Sequence, residues 1–377
     1  MKIAMVTWTN NSKILCELLK DTDEIDYAVE TDQFLWGIDD QIPHVRIISF
    51  GKAFDLYEKG QIDKFLIPYL PGVNVYSLYY LRMLTHKVKE EDIFYSPDAV
   101  FKDNNLSREA KIEIICVFKD RNELDQLDIS INDHCNLKCA NCRKVAGIFS
   151  KPSFANFAQT KFGLLRLKKY YNHIHSIFVT GGEPLLNNEV GRYCTFIRDV
   201  YPQAEICIIT NGTLVLEMKE ELLEVLREND ISLKIMYFPV MGSAIDSVNE
   251  FLNGKEIRHF ITPEITYSNK VYDMSGNNDP KTSFDCCKNR FSSLILRENE
   301  LASCFAPFAI RQLDEVFHIN VRHHSGTVDL LEDGLSSSGI IDRLNRPSEI
   351  CRFCYKNETP WRTLTGTEKN NLHNWSV

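Results

Sequence analysis

Cys135, Cys139 and Cys142 share one short stretch, with three and then two residues between them, and that spacing leaves the backbone little choice. Thiols this close in sequence can serve one inorganic centre only if the chain curls around it as a loop. Thiolates on such spacings hold the corners of [4Fe–4S] cubes. Three of them take three irons, so the fourth iron has no protein ligand. An open coordination position is what separates a catalytic metal centre from a structural one. A zinc ion, with His134 completing a closed tetrahedron, is the other reading the triplet allows.

Two more motifs follow strand-like runs. Ile177-Phe178-Val179 reads as a short buried strand and leads straight into Thr180-Gly181-Gly182-Glu183-Pro184-Leu185. Glycines there permit close backbone approach to a ligand, and a carboxylate can accept a charge-assisted hydrogen bond from an ammonium group. The run Glu205 to Ile209 ends in Thr210-Asn211-Gly212, although Asn-Gly is also an ordinary turn. Zinc gives the Gly-Gly-Glu-Pro strand end no part. On these residues the chain resembles the radical S-adenosylmethionine (radical SAM) superfamily, whose members share the Cys-x3-Cys-x2-Cys loop and the Gly-Gly-Glu-Pro signature. The resemblance implies that Cys135, Cys139 and Cys142 hold a [4Fe–4S] cluster. It also implies that Gly181, Gly182, Glu183, Pro184 and Asn211 contact S-adenosyl-L-methionine (SAM). The reduced cluster then splits SAM into methionine and a 5′-deoxyadenosyl radical that takes a hydrogen atom from a C–H bond. Many relatives carry an aromatic residue near the adenine just before the third cysteine; here that place is Asn141, a departure that touches the adenine contacts and not the cluster.

The expected fold class is α/β: a partial (β/α)6 TIM-type barrel, an N-terminal Rossmann-like parallel-sheet domain and a small C-terminal iron–sulfur domain. Residues 1–118 alternate strand-like and helix-like segments: Lys2 to Val6, Ser12 to Lys20, Val45 to Phe50, Ala53 to Lys59, Lys64 to Leu70 and Val75 to Thr85. Alternation of this kind suits a parallel sheet with crossover helices. The glycine loop of dinucleotide-binding folds is missing, its place taken by Thr7-Trp8-Thr9-Asn10-Asn11. The block Tyr27 to Asp32 resembles small Rossmann-like domains fused to sugar-modifying enzymes, and a scaffold or docking role fits it as well as a nucleotide-sugar site does. From 124 to 284 the rhythm restarts, with strands expected at Leu127–Ile131, Ser176–Val179, Glu205–Ile209, Ile231–Met236 and His259–Ile261, and a helix from Leu214 to Arg227. Each motif follows the C-terminal end of a strand, the face where βα barrels keep their active sites.

Residues 285–377 hold Cys286, Cys287, Cys304, Cys351 and Cys354. This region resembles the auxiliary-cluster domains of the SPASM and twitch types. Asn299 takes the place of their glycine, with four residues between it and Cys304, and asparagine tolerates the positive φ of a turn. The resemblance implies a second [4Fe–4S] cluster on Cys287, Cys304, Cys351 and Cys354, with Cys286 able to replace Cys287 or to return a hydrogen atom to a substrate radical. Spacing alone does not separate this set from a structural zinc site. Cys16, Cys116, Cys194 and Cys207 sit in apolar surroundings and read as core residues.

A net charge of −9 argues against a nucleic-acid partner, because such binding draws on clustered Lys and Arg. No run approaches the roughly 18 apolar residues of a membrane span, so a cytoplasmic location without membrane contact is expected. The resemblance points to a small-molecule substrate, a carbohydrate or nucleotide-sugar, that is oxidised or epimerised, and to an electron donor such as flavodoxin or ferredoxin. Tyr237-Phe238-Pro239 at a strand end and Trp361 far downstream favour the sugar. The alternatives are modification of a ribosomally synthesised peptide, and a non-catalytic scaffold built on iron–sulfur or zinc.

Overall fold

A computed structural model describes residues 1–19, 24–30, 36–38, 42–68, 84, 87–89, 92–95, 115–116, 123–149, 151, 153–285, 287, 294–321, 326–344 and 346–376. The chain divides into two compact units, Met1–Asp120 and Arg121–Val377.

In the first unit, strands β1 (Lys2–Val6), β2 (Glu24–Val29), β3 (Gly37–Ile38), β4 (Arg46–Ile48), β5 (Lys64–Ile67), β6 (Ile93–Tyr95) and β7 (Ile115–Cys116) form one sheet in the order β3-β4-β2-β1-β5-β6-β7. The inner five are parallel, and β3 and β7 pair antiparallel at the edges. Residues 3–6 are all buried because the sheet is covered on both sides. Ile3 and Met5 join Leu15, Cys16 and Leu19 of the helix Asn10–Leu19. Ala4 and Val6 join Phe50, Ala53 and Leu56 of the helix Phe50–Glu58. Crossovers on opposite faces, reversing between β1 and β5, are the doubly wound arrangement that the alternation predicts. The helix expected over 75–85 lies outside the described residues apart from Leu84.

Where a dinucleotide would meet the end of β1, the chain meets itself. Glu30, buried just past β2, accepts hydrogen bonds from Thr7 Oγ1 at 2.9 Å and Trp8 N at 3.2 Å. Thr7 stands at φ 64° in this loop.

The second unit is built on an eight-stranded sheet: β8 (Glu123–Ser130), β9 (His173–Thr180), β10 (Glu205–Thr210), β11 (Ile231–Ile235), β12 (His259–Ile261), β14 (Leu294–Arg297), β15 (Glu300–Ala302) and β16 (Thr327–Asp329), in the order β12-β11-β10-β9-β8-β14-β15-β16. A separate pair joins β13 (Tyr267–Tyr272) to β17 (Cys354–Pro360). All five barrel strands expected from the sequence are present, in sequential order and parallel. The sixth parallel strand, β14, comes after β13 and joins the far edge beside β8, so the partial barrel grows backwards from its first strand. Residues beyond 285 therefore share one sheet with the barrel.

Ile177, Val179, Ile206, Ile208, Ile231 and Leu233 face outward into one core with the helices. Gln126, Asp128, Ser176, Phe178, Cys207, Ser232 and Lys234 alternate with such outward positions and face inward. The helix expected over Leu214–Arg227 is broken in two. A 3-10 turn, Val215–Glu217, buries Val215 against the strand ends, and Met218 and Lys219 are extended. The α-helix starts only at Glu220–Glu228, where Glu220 and Glu221 lie in the first turn and suit its positive dipole end.

The hairpin β14–β15 forms as expected, but its positive φ falls on Glu298 (56°), not on Asn299. Asn299 is held instead by its side chain, which donates to Asp329 Oδ1 at 2.7 Å. Glu298 Oε1 accepts from Asn156 N at 2.8 Å, tying the turn to the helix Phe157–Tyr170.

Candidate active site

The cysteine loop leaves the end of β8 and is closed at its base by its own return. Asn132 bridges Phe154, Asp133 N donates to Ser153 O at 2.9 Å, and Ala155 N donates to Ile131 O at 2.9 Å. Within the loop Asn141 (φ 57°) and Val145 (φ 45°) take left-handed conformations. That is a strained choice for a β-branched residue, of a kind that collects at functional sites.

The three motifs meet here. Gly182 N donates to Asn132 O and Glu183 N to His134 O, each at 2.9 Å. A β-carbon on Gly181 would stand 1.9 Å from Asn132 Oδ1, and one on Gly182 would stand 2.1 Å from His134 O. The two glycines thus let the end of β9 press against the cysteine loop itself. Glu183 is fully buried, and its carboxylate accepts from Leu185 N (3.0 Å), Thr210 Oγ1 (2.7 Å) and Asn211 N (2.7 Å). Burial pushes its pKa up, against the pull of those three donors. Two carboxylate oxygens offer about four acceptor sites, so about one remains. Pro184 opens a 3-10 turn that Glu183 caps. Asn211 Nδ2 donates to Asn136 Oδ1 at 2.9 Å and lies 3.7 Å from Cys135 Sγ.

Burial pushes the Cys135 thiol up strongly and Cys139 up to about 12, and the charge of Cys142 raises both. The three sulfurs therefore share one region. Among the described residues no three His, Cys, Asp or Glu close on a point as ligands of a single ion do. Thiolates at three corners of a cube each meet a different iron and need no such convergence.

The outer side of the loop is covered by the C-terminal segment. Leu364 N donates to Lys138 O (2.6 Å), Ala140 N to Arg362 O (2.9 Å) and Asn141 N to Asn374 O (2.9 Å), and Cys139 bridges Thr363. Asn141, where relatives carry an aromatic residue, donates through Nδ2 to Thr359 Oγ1 at 2.9 Å. Trp375, wholly buried, anchors this strap through Nε1 to Lys369 O at 2.8 Å. Phe238, just past β11, stacks on Trp361 with ring centroids 5.4 Å apart and planes at 23°.

Four buried side-chain polar atoms among the described residues have no partner: Ser130 Oγ, Asn132 Oδ1, Gln312 Oε1 and Trp361 Nε1. Ser130 and Asn132 flank the exit from β8 into the loop, Gln312 bonds Asp133 through its other end, and Trp361 lies against Cys139. Orphaned polar groups cost about 1–3 kcal/mol each; Asn132 Oδ1 faces Gly181 and Gln312 lines a separate cavity with Asp133 and Arg297, which leaves Ser130 Oγ and Trp361 Nε1. The chemistry of the donor set, three thiols on one loop, fits an iron–sulfur cluster.

The second thiol set also comes together. Cys287, Cys304, Cys351 and Cys354 line one enclosed cavity with Phe284, Pro307 and Ile350. Cys304, on the loop after the hairpin, is pushed up to about 12 by burial and then by the charges of Cys287 and Cys351. Cys354 is pushed up by burial and by the other three thiols. Cys286, and the backbone on either side of Cys287, lie outside the described residues. Tyr272 pairs with Cys354 across β13–β17 and donates through its hydroxyl to Arg143 O, 2.5 Å away and next to Cys142.

The inward face of the barrel carries a site that the motifs do not reveal. Ser176, Phe178, Glu205, Cys207, Ser232, Lys234, Arg258 and His259 line an open cavity of about 460 Å³ that reaches the N-terminal ends of β10, β11 and β12, the end of the strands opposite the motifs. Cys207 therefore faces this cavity and is not a core residue, whereas Cys16 and Cys194 are buried as expected. For Cys116 only the backbone is described. Nearer the loop stand Asp128, raised by burial, and Lys144, lowered to about 8 by burial and held up by Asp128. The signal for this face was the polar half of each strand's alternation.

Residues 129–267 match the Radical SAM superfamily. The GTP 3′,8-cyclase of Clostridium acetobutylicum is 31% identical over 140 residues, 34% of this chain and 43% of that protein. The GTP 3′,8-cyclase of Syntrophomonas wolfei is 30% identical over 105 residues, 28% of this chain and 32% of that protein. The chain spans less than half the length of these curated relatives. A solved structure of BtrN in complex with AdoMet and 2-DOIA covers 61% of this chain and 92% of that one, at 16% identity and a TM-score of 0.40. Residues 129–267 of this chain thus belong to the radical SAM superfamily.

Proposed function

We propose that the chain is a radical SAM enzyme that abstracts a hydrogen atom from a carbohydrate or nucleotide-sugar and leads to its oxidation or epimerisation. The observation that carries the reading is the convergence of three separate motifs, in which Glu183 binds Asn211 and Asn211 reaches Cys135. Cys135, Cys139 and Cys142 hold the [4Fe–4S] cluster, and Gly181, Gly182, Glu183, Pro184 and Asn211 shape the SAM site beside it. The cluster and SAM, when bound, supply hydrogen-atom abstraction from an unactivated C–H bond.

The chain's own residues bind, orient and exclude water. Phe178 and Lys234 on the inward face, with Asp128 and Lys144 nearer the loop, offer one aromatic face and charged hydrogen-bonding groups, a mixture that suits a polyhydroxylated ligand. Asp128, beside Lys144, is placed to take a hydroxyl proton as an alcohol carbon becomes a ketone. Cys287, Cys304, Cys351 and Cys354 would hold an auxiliary [4Fe–4S] cluster, which would supply a one-electron acceptor for such an oxidation. Epimerisation calls instead for a hydrogen atom returned from the opposite face, the role of Cys286. The curated relatives are named for a reaction of GTP, itself a ribose-bearing nucleotide.

Anaerobic reconstitution followed by iron and sulfide analysis tests the cluster content: about eight of each per chain fits two cubes, and about four removes the auxiliary one. A nucleotide-sugar deuterated at its ring carbons then tests the substrate class. Deuterium appearing in 5′-deoxyadenosine supports it, and 5′-deoxyadenosine formed without any label transfer opposes it.

A further inference from the structure

Trp361 has a buried indole N–H with no hydrogen-bond partner. Three features fix where it lies. Residues 362–364 run antiparallel to residues 138–140, with Cys139 bridged to Thr363 and hydrogen bonds on both sides of the bridge. Trp361 N donates to Thr266 O at 2.8 Å, which holds the start of this segment to the chain just before β13. The stack on Phe238 sets the plane of the indole ring. A phenylalanine would serve that stack equally well, so packing does not account for the N–H. Thr363 is the antiparallel bridge partner of Cys139, so Trp361, two residues before it, lies on the same side of the pairing and is a diagonal neighbour of Cys139, within reach of a long aromatic side chain.

We propose that Trp361 donates its N–H to the Cys139 thiolate when the loop holds its cluster, and so sets the reduction potential of the SAM-binding site. The inference rests on the loop being that site. Hydrogen bonds to cluster sulfurs are one of the protein's means of setting potential, because they stabilise the extra negative charge of the reduced state. Trp361 is a positioning residue that acts through Cys139 and touches no substrate. It directly follows β17, whose first residue is Cys354, so one strand links the four-thiol site to the tuning donor at the three-thiol loop.

The test is a potentiometric titration of the full chain, reconstituted anaerobically and followed by electron paramagnetic resonance on the cluster whose signal responds to added SAM. Trp361→Phe keeps the ring and removes the N–H, and the expected result is unchanged iron content with a midpoint moved to more negative potential. An unchanged midpoint at equal iron content overturns the proposal. Phe238→Leu keeps the N–H and loses the stack. Its midpoint should move less, and a shift as large as that of Trp361→Phe would assign the effect to packing and overturn the proposal. Should Trp361→Phe load no iron at this site, 3-benzothienylalanine at position 361 removes only the N–H and reads the same shift. A wild-type chain with no SAM-responsive cluster sinks the reading of the loop as well, whereas a responsive cluster with an immobile midpoint sinks this inference alone.

Discussion

Glu183 is a carboxylate with no exposure to solvent, held by donors from Leu185, Thr210 and Asn211. Glu183→Ala strands those three donors in a buried site, where each unmet partner costs about 1–3 kcal/mol. We expect denaturant titration to show a loss of roughly 3 kcal/mol or more, together with failure to retain iron at the cysteine loop. The motif was legible in the sequence, because Gly-Gly-Glu-Pro follows an apolar run directly. The job of its glycines was not, because what crowds them is the backbone of residues 132 and 134, some fifty residues away in the chain. Thiol chemistry gives a second expectation. Burial holds Cys139 and Cys304 as thiols up to about 12, against an ordinary value of 9.0. An unfolded chain releases these protons from about pH 9 while the folded apoprotein keeps them, so the stability of iron-free protein falls as pH rises through that window. Denaturation midpoints of the iron-free chain at about pH 8 and about pH 10 check this, and Cys139→Ser combined with Cys304→Ser should flatten the slope.

At the scale of elements, strands β8 to β12 were readable because each is an apolar run bounded by turn residues. The placement of β14 was not, since nothing local says that Leu294 will pair with Leu127. The pairing of residues 362–364 with residues 138–140 was equally hidden, being a contact between the loop and the far end of the chain. The turn of β14–β15 shows how a local rule can be met by a different residue. Position 298, a glutamate, takes the left-handed conformation, its side chain accepting from Asn156 N at the cap of the helix Phe157–Tyr170 and its carbonyl lying against Gly163. Gly163 of that helix leaves room for the Glu298 carbonyl, which would stand 2.2 Å from any β-carbon there. Gly163→Ala should therefore destabilise the second unit by about 1–3 kcal/mol, the usual cost of overpacking, instead of giving the gain that Gly to Ala brings in an open helix. Thermal unfolding of the variant decides between the two signs.

For the molecule as a whole, the sequence separates a Rossmann-like unit from a barrel unit, and the structure divides at Asp120. In the first unit the sheet order follows from alternation. The missing glycine loop finds its counterpart in Glu30, which turns into the loop of Thr7 and Trp8. Among the described residues no helix is long and apolar enough to cross a membrane. The second unit gathers seven of the chain's twelve cysteines into two sites, three at the loop and four around one cavity. That gathering, and not any single motif, is what the proposed iron–sulfur chemistry of the second unit rests on. The measurement that tests the account most directly is the formation of 5′-deoxyadenosine when anaerobically reconstituted, iron-loaded protein is reduced in the presence of SAM. The account predicts its formation by the wild-type chain and none by Cys139→Ala; an iron-loaded wild-type chain that leaves SAM intact on reduction would contradict it.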